Sequence, residues 1–226
     1  MKPLLAVAAV SLLLPIAAQA SLAKAASFDE KVENANAIIL GKCTQQRSGW
    51  DADHKWILTW STFKVEKAMK GGQPAEVTVV VPGGSVNGIH QESIGMPVFR
   101  EGEDNVLFIR DTPSGPTVLY FEQGAYDVVR DSKGTRIVQP VSTGSVFIDT
   151  QRGTAAAPES ARPLAQFESE VGASIRRSVQ QRMDILHPRP KTRPTATIGE
   201  ILQRNRLLVM LTAFGLFLSA GQLFRR

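Results

Sequence analysis

Alternation of apolar and polar positions dominates the stretch from residue 35 to residue 139. Short runs with a period of two recur between stretches rich in Gly, Pro and Asp. Such runs are typical of β-strands joined by turns. The predicted strands are 35–45, 55–67, 76–81, 85–92, 105–110, 117–121, 125–130 and 136–139. Many short strands at this spacing predict a mainly β domain over 28–150, either a sandwich or a small closed barrel.

The connecting segments are predicted from their turn-forming residues. Residues 28–34 have spaced apolar positions and predict one or two helical turns. Residues 46–54 contain Gly49 and two aspartates, so we expect a hairpin loop there. Residues 143–160 are rich in Gly, Ala, Thr and Ser, and this composition predicts a loop.

A helical period replaces the strand period after the β domain. Apolar residues recur every three or four positions and predict a helix over 162–184 with one apolar stripe, formed by Leu164, Phe167, Val171, Ile175, Val179 and Met183. Acidic residues come early on its polar face and basic residues late, as the helix dipole favours. We expect the stripe to pack on the β domain; the alternative is a contact with a helix of a partner.

The first residues of the chain have the pattern of a secretory signal peptide, predicted over 1–20. Lys2 precedes an apolar run that ends in the small-x-small sequence Ala18-Gln19-Ala20. A second cleavage sequence near residue 25 makes the mature start either Ser21 or Ala26. An uncleaved signal anchor is the alternative, but the run is shorter than the ~20 residues that cross a bilayer.

The end of the chain predicts a linker and a membrane anchor. Residues 185–196 are rich in Pro and basic residues, which predicts a stiff extended linker. Residues 207–224 carry no charge and have arginines on both sides, which predicts a single transmembrane helix. A C-terminal sorting signal that is removed by processing is the alternative. Because the signal peptide would export the N-terminal part of the chain, we expect the β domain to lie in the periplasm or outside the cell and Arg225 and Arg226 to lie in the cytoplasm.

Charge is distributed unevenly along the chain. Residues 28–150 hold 12 basic against 16 acidic residues, a net charge of −4, whereas residues 151–226 hold 12 against 5, a net charge of +7. The basic excess therefore belongs to the tail, where it suits anionic lipid headgroups. A nucleic-acid-binding β domain is not expected.

Candidate catalytic residues are few. Cys43 is the only cysteine, which excludes an intramolecular disulfide, and its apolar surroundings predict a small buried side chain. Ser145 has no base near it in sequence, and the Gly-x-Ser-x-Gly pattern is absent. Adjacent acidic residues at 101–104 would point to opposite faces of a strand, so paired acid and base roles are not expected. We expect no catalytic site.

Metal and cofactor sites are not expected either. Asp51, Asp53 and His54 could hold a metal ion loosely, but no glutamate follows at the spacing of a calcium loop. The glycine-bearing segment 81–85 lacks the lysine and the following helix that phosphate binding requires.

Three tryptophans and one histidine form the candidate ligand face. Trp56 and Trp60 are four residues apart in a predicted strand and would share a face, with Trp50 in the loop before them. An exposed tryptophan face would bind carbohydrate or protein, whereas a buried one would be part of the core. His90 is predicted to lie at the surface. A groove lined by Trp50, Trp56 or His90 would favour ligand binding.

The order of these signals resembles a family of uncharacterised exported bacterial domains. The resemblance covers residues 36–130 and rests on the Lys-Gly turn that ends at Gly71, the Val-x-Val and Pro-Gly-Gly sequence over 77–84, and the Pro-x-Phe-x-x-Gly-Glu sequence over 97–103. More distantly it is similar to the OB-type barrel of netrin modules and tissue inhibitors of metalloproteinases. The resemblance implies a Greek-key, OB-like barrel. No functional residue follows from it, since those inhibitors act through an N-terminal cysteine that is absent here.

The sequence thus predicts a small OB-like β barrel with a C-terminal amphipathic helix and a single transmembrane helix. The function predicted for it is that of a membrane-anchored, extracytoplasmic, non-enzymatic binding module for a protein or polysaccharide of the cell envelope. The alternative is a subunit or regulator of a membrane, secretion or peptidase complex, and an enzyme is the third hypothesis. A cleft that gathers His54 or His90 with carboxylates and a serine would favour the enzyme.

Overall fold

The computed structural model describes residues 22–187 and Met210. The predicted signal peptide, residues 188–196 of the predicted linker, and the predicted membrane helix apart from Met210 lie outside the described residues. Within the described part, no helix has both the length and the hydrophobicity needed to cross a bilayer. The chain divides between Gln180 and Gln181 into two units, and the sheets and most of the last helix belong to the first.

Thirteen strands and two α-helices make up residues 22–186. The strands are β1 Leu22–Lys24, β2 Ala37–Trp50, β3 Ile57–Lys70, β4 Glu76–Pro82, β5 Gly84–Val86, β6 Ile89–Gln91, β7 Asp104–Thr112, β8 Gly115–Val118, β9 Ala125–Arg130, β10 Arg136–Pro140, β11 Val146–Asp149, β12 Thr154–Ala155 and β13 Arg162–Pro163. The helices are α1 Phe28–Asn34 and α2 Leu164–Leu186, and a 3₁₀ turn covers Phe121–Gly124. The prediction of a mainly β domain with a C-terminal helix is confirmed.

The main sheet is antiparallel, with the strand order β13-β10-β9-β7-β2-β3-β4. β8 pairs with the second half of β7, on the same edge that β9 occupies along the first half. Three register irregularities interrupt the pairing of β2 with β3. Since such bulges bend a strand and increase its twist, they account for the curvature that two long strands need.

The described sheet is not closed by a ladder. β4 and β8 approach each other, and the Thr117 hydroxyl donates to the Val80 carbonyl oxygen over 2.7 Å. No backbone ladder joins these two strands among the described residues. The prediction of a closed barrel is therefore not confirmed, because within the described residues β4 pairs only with β3 and β8 pairs only with β7.

Apolar residues alternate across the central strands and form a core on each face of the sheet. Val106 and Phe108 of β7 belong to one core, and Leu107 and Ile109 belong to the other. The second core also contains Cys43, which is buried and free. Burial raises the pKa of its thiol, so the sulfur stays protonated at neutral pH.

Helix α2 covers the first core with the apolar stripe predicted from its sequence. Leu164, Phe167 and Val171 are buried and Ile175 packs against them, whereas Val179 is exposed. The helix begins two residues later than predicted and ends two later. The stripe thus packs on the first core along its first three turns.

Two predicted loops contain strand. Residues 143–160 include β11 and β12, and β11 pairs in parallel with β1 at the other end of the chain sequence. That partner is remote in sequence, so composition alone does not reveal the pairing. The predicted loop over 46–54 is shorter than expected, because β2 continues to Trp50. The Asp51 carboxylate accepts from the backbone N–H groups of Lys55 and Trp56, and this closes the turn.

A charged and aromatic cluster joins α1 and α2 to β7 and β9; we call it the Lys31 cluster. It consists of Phe28, Lys31, Phe108, Tyr126, Glu159 and Phe167. The Lys31 ammonium group is buried and donates to the Tyr126 hydroxyl, the Gln123 carbonyl oxygen and the Glu159 carboxylate. Burial lowers the pKa of Lys31 against the opposing effect of Glu159, and burial and Glu159 together raise the pKa of Tyr126.

Candidate functional site

A groove of about 770 Å³ lies beside the hairpin of β2 and β3. Its walls come from that hairpin, from residues within 81–99, a stretch that contains the small hairpin of β5 and β6, and from Thr143 and Gly144. Three separate chain segments thus meet around one concave surface. We refer to it as the groove.

Gly84 allows the β5–β6 hairpin to approach β2 and β3. Gly84 has φ +136, and a Cβ atom there would overlap the hydroxyl oxygens of Thr59 and Ser48. Those hydroxyls lie 2.9 Å apart, and Thr59 also donates to the Gly83 carbonyl oxygen over 2.7 Å. The Pro-Gly-Gly sequence ends β4, and it also lets the backbone of Gly83 and Gly84 contact the Ser48 and Thr59 hydroxyl groups in the wall of the groove.

Two glutamine side chains hold the walls together. The Gln46 amide donates to the Ser61 hydroxyl over 3.1 Å and to the Phe99 carbonyl oxygen over 2.9 Å. The Gln91 side-chain oxygen accepts from the Ile57 backbone N–H over 2.6 Å. Each amide bridges two segments, so the groove is held by neutral hydrogen bonds between its walls.

A buried carboxylate holds Thr143, which lines the groove. Glu122 lies in the 3₁₀ turn with 1% of its surface exposed. Its carboxylate accepts from the Thr143 backbone N–H over 2.7 Å and from the Thr143 hydroxyl, and its own N–H donates to the Gly95 carbonyl oxygen over 2.8 Å. Sequence reasoning missed Glu122. The left-handed φ of its neighbours Tyr120 and Phe121, +55 and +60, is not visible in the sequence.

Ser85 and His90 face each other across the β5–β6 hairpin. The Ser85 hydroxyl and His90 Nδ1 are 2.9 Å apart, both residues are exposed, and both line the groove. A nucleophilic serine needs a base that a third group orients. The described hydrogen bonds of His90 include the one to Ser85 and none to a carboxylate. What this pair offers is a polar contact for a ligand.

The groove carries little charge. Within the part of the chain that the structure describes, Glu92 is the only residue with a carboxylate that lines the groove, and no Lys or Arg lines it. Among the described residues, no group of three or more His, Cys, Asp or Glu side chains could hold a metal ion. Asp51, considered above as a ligand, instead caps its turn, and those hydrogen bonds hold its pKa below the ordinary value.

The pairing of β2 with β3 positions two of the tryptophans of the predicted ligand face. Trp60 pairs with Arg47, whose guanidinium group lies 4.5 Å from the indole ring centroid, while Trp50 pairs with Ile57. These two pairs are an odd number of residues apart, so Trp50 and Trp60 lie on opposite faces of the hairpin. Trp56 precedes β3 and is 57% exposed. Of the four residues of that prediction, only His90 lines the groove.

No protein-family model and no curated protein sequence matches this chain.

Proposed function

We propose that this chain is a membrane-anchored, extracytoplasmic, non-enzymatic binding module for a protein or polysaccharide of the cell envelope. The observation that carries the proposal is the groove, a concave surface of about 770 Å³ assembled from three segments and lined by neutral polar groups. Concave surfaces with a few convergent polar groups are the usual sites of ligand binding. The approach of Thr117 on β8 to Val80 on β4 supports an OB-like, nearly closed barrel as its scaffold.

Export and anchoring in this proposal rest on the sequence of the two ends. The apolar run within residues 1–20 would direct export, and the uncharged segment 207–224 would hold the tail in the membrane. The β domain would then face the envelope, where proteins and polysaccharides are the available partners. Alkaline phosphatase fused after Gln139 should be active. Activity of cytosolic reporters alone at that position would contradict the proposed location.

The hydroxyl groups of the groove favour binding over catalysis. Ser48 and Thr59 share a hydrogen bond, Ser61 accepts from Gln46, and Ser85 contacts His90. Each of these hydroxyls is held by a neighbour that positions it as a hydrogen-bonding group. Such groups can exchange their bonds with those of a ligand.

The exposed part of the α2 stripe favours the alternative, a subunit or regulator of a membrane, secretion or peptidase complex. Val179 is 55% exposed, although it continues the stripe that is buried nearer the start of α2. A complex partner could contact that surface. The groove is the better-built site, because side chains and glycines from separate segments converge on it.

A groove-filling variant tests the proposed function. We expect the full-length chain in lipid nanodiscs to retain an envelope component, either a purified cell-wall polysaccharide or a cross-linked envelope protein. Ser85→Trp should fill the groove and weaken that retention by about tenfold or more. The matched control is Ser132→Trp, at an exposed turn position between β9 and β10. Equal retention by both variants, or a hydrolase activity that only Ser85→Trp removes, would contradict a binding module that uses this groove.

A further inference from the structure

Exposed aliphatic side chains border the groove. Val98 is 79% exposed and Ile94 is 57% exposed, and both line the groove. Ile89, which is 54% exposed, is next to His90 on β6. Aliphatic groups gathered around a concave site lower their free energy when a partner covers them. The groove therefore joins a neutral polar interior to an apolar border.

This combination distinguishes between the two partner classes of the proposed function. Sugar rings bind best against flat aromatic rings. Among the described residues, the only Phe, Tyr or Trp that lines the groove is Phe99, and it is buried. Branched aliphatic side chains are instead matched by apolar side chains of a polypeptide. The near absence of charge disfavours acidic polymers and charged headgroups, which need cationic partners.

The small hairpin also offers backbone groups. β5 and β6 are joined by the two-residue turn Asn87-Gly88, both residues with positive φ, and Val86 pairs with Ile89. In such a hairpin the pair that flanks the turn is hydrogen-bonded, so the next pair, Ser85 with His90, is not. The N–H and C=O groups of His90 consequently point away from β5. Within the described residues, β6 pairs with no strand except β5.

We propose that the groove binds an extended, uncharged peptide segment with apolar side chains, which pairs with the free edge of β6 at His90 and packs against Val98 and Ile94. The proposal rests on the proposed function, since it names the partner class of the same site. Strand addition of this kind takes affinity from backbone hydrogen bonds and selectivity from pockets for alternate side chains. The partner is thus a protein, not a polysaccharide.

The experiment uses the full-length chain in lipid nanodiscs and a phage-displayed library of random linear peptides of about 12 residues. We expect selection of uncharged peptides in which apolar residues alternate with polar ones. Selected peptides are synthesised and their affinity is measured by fluorescence anisotropy. An array of neutral and acidic glycans is probed with the same protein.

Two pairs of variants locate the contact. Val98→Ser should weaken peptide binding by about fivefold or more, whereas Val129→Ser, at an exposed position of β9, should change it less than about twofold. His90→Pro removes the edge N–H and should weaken binding by about tenfold, whereas His90→Ala keeps that N–H and should weaken it by less than about threefold. If His90→Pro does not fold, the Val98 and Val129 pair decides the question.

Four outcomes would overturn the proposal. Glycan binding that Ser85→Trp abolishes, with no peptide selected, would leave the binding module standing and assign the groove to a polysaccharide. Selection of highly charged peptides, or equal effects of Val98→Ser and Val129→Ser, would reject this contact. Neither peptide nor glycan binding would reject the proposed function together with the inference.

Discussion

The Lys31 cluster and the groove are both rich in polar groups, yet they differ in how those groups are used. In the cluster, the Lys31 ammonium group has three acceptors, and the charge of Glu159 compensates its own. In the groove, hydroxyl and amide groups bond to each other at the surface, with little charge and with exposed aliphatic side chains beside them. The polar groups of the cluster bond to one another, whereas the groove keeps polar and apolar surface that a ligand can contact.

The two regions share the 3₁₀ turn Phe121–Gly124. The Gln123 carbonyl oxygen accepts from Lys31, and the carboxylate of the preceding residue, Glu122, accepts from Thr143, which lines the groove. Gln123 therefore contributes to the stability of the Lys31 cluster, and its neighbour Glu122 contributes to the geometry of the groove. The comparison predicts that changes in the cluster lower the free energy of unfolding, and that changes around the groove alter ligand affinity more than stability.

The largest expected effect is that of Phe167→Ala. The Phe167 ring is fully buried and lies edge-on to Phe28, Phe108 and Tyr126 at centroid distances of 5.0 to 6.2 Å. Removing it leaves a cavity, and we expect a loss of about 3–5 kcal/mol in the free energy of unfolding, measured by chemical denaturation. Phe121→Ala, at an exposed ring, is the matched control and should cost far less. Similar losses for both would contradict the assignment of this core.

Glu159→Gln should have the next largest effect. It leaves the buried Lys31 ammonium group without a compensating charge, so the free energy of unfolding should fall. We expect a loss of about 2 kcal/mol, which is less than for a fully buried ion pair because Glu159 itself is partly exposed. The double variant with Lys31→Met removes both charges and should be more stable than Glu159→Gln alone. If the double variant is less stable than the single one, the ion pair is not the source of the loss.

Glu122→Gln should act on the groove. The amide keeps the shape of the carboxylate but weakens the bonds from Thr143, so we expect a loss of about 1.5 kcal/mol in stability. Affinity for a groove ligand should fall as well, although Glu122 is buried and not among the residues that line the groove. Calorimetric titration of Glu122→Gln beside Glu92→Gln separates the two effects. Unchanged affinity in Glu122→Gln would show that Thr143 keeps its position without the carboxylate.

The smallest expected effect is a pH dependence that Lys31 contributes. Burial lowers its pKa below the ordinary 10.5, so between the folded pKa and 10.5 the unfolded chain binds more protons than the folded chain. The free energy of unfolding should therefore rise with pH through that window relative to Lys31→Met. The raised pKa of Tyr126 acts in the opposite direction only above pH 10.0. Denaturation of both proteins at increasing pH below 10.0 measures the difference. A difference that stays flat or falls contradicts the lowered pKa.

The scaffold was largely predictable because its signals are local. The apolar residues around Leu107 alternate with the period of a strand, and the stripe from Leu164 to Val171 has the period of a helix. Each period can be read within one element. Pairing between remote segments has no such signal, which is why β1 and β11 were missed. The groove escaped prediction for the same reason, since the contact of Gly84 with Thr59 and Ser48 depends on how three segments meet.

The tryptophan prediction shows how small errors in element bounds change a site. The prediction placed the end of β2 before Trp50 and the start of β3 before Trp56, whereas both bounds lie elsewhere. The register then places Trp50 and Trp60 on opposite faces. Trp56, which was predicted to share a face with Trp60, precedes β3, so the alternation of faces within a strand does not extend to it.

The single thiol of this chain can report how often the main sheet opens. Cys43 lies inside the second core with no exposed surface, so a thiol-specific dye can reach it only when β2 and its neighbours separate. The rate of labelling in excess dye then measures how often the sheet opens, without an engineered probe. Slower labelling in the presence of a bound peptide would link occupancy of the groove to the lifetime of the closed sheet.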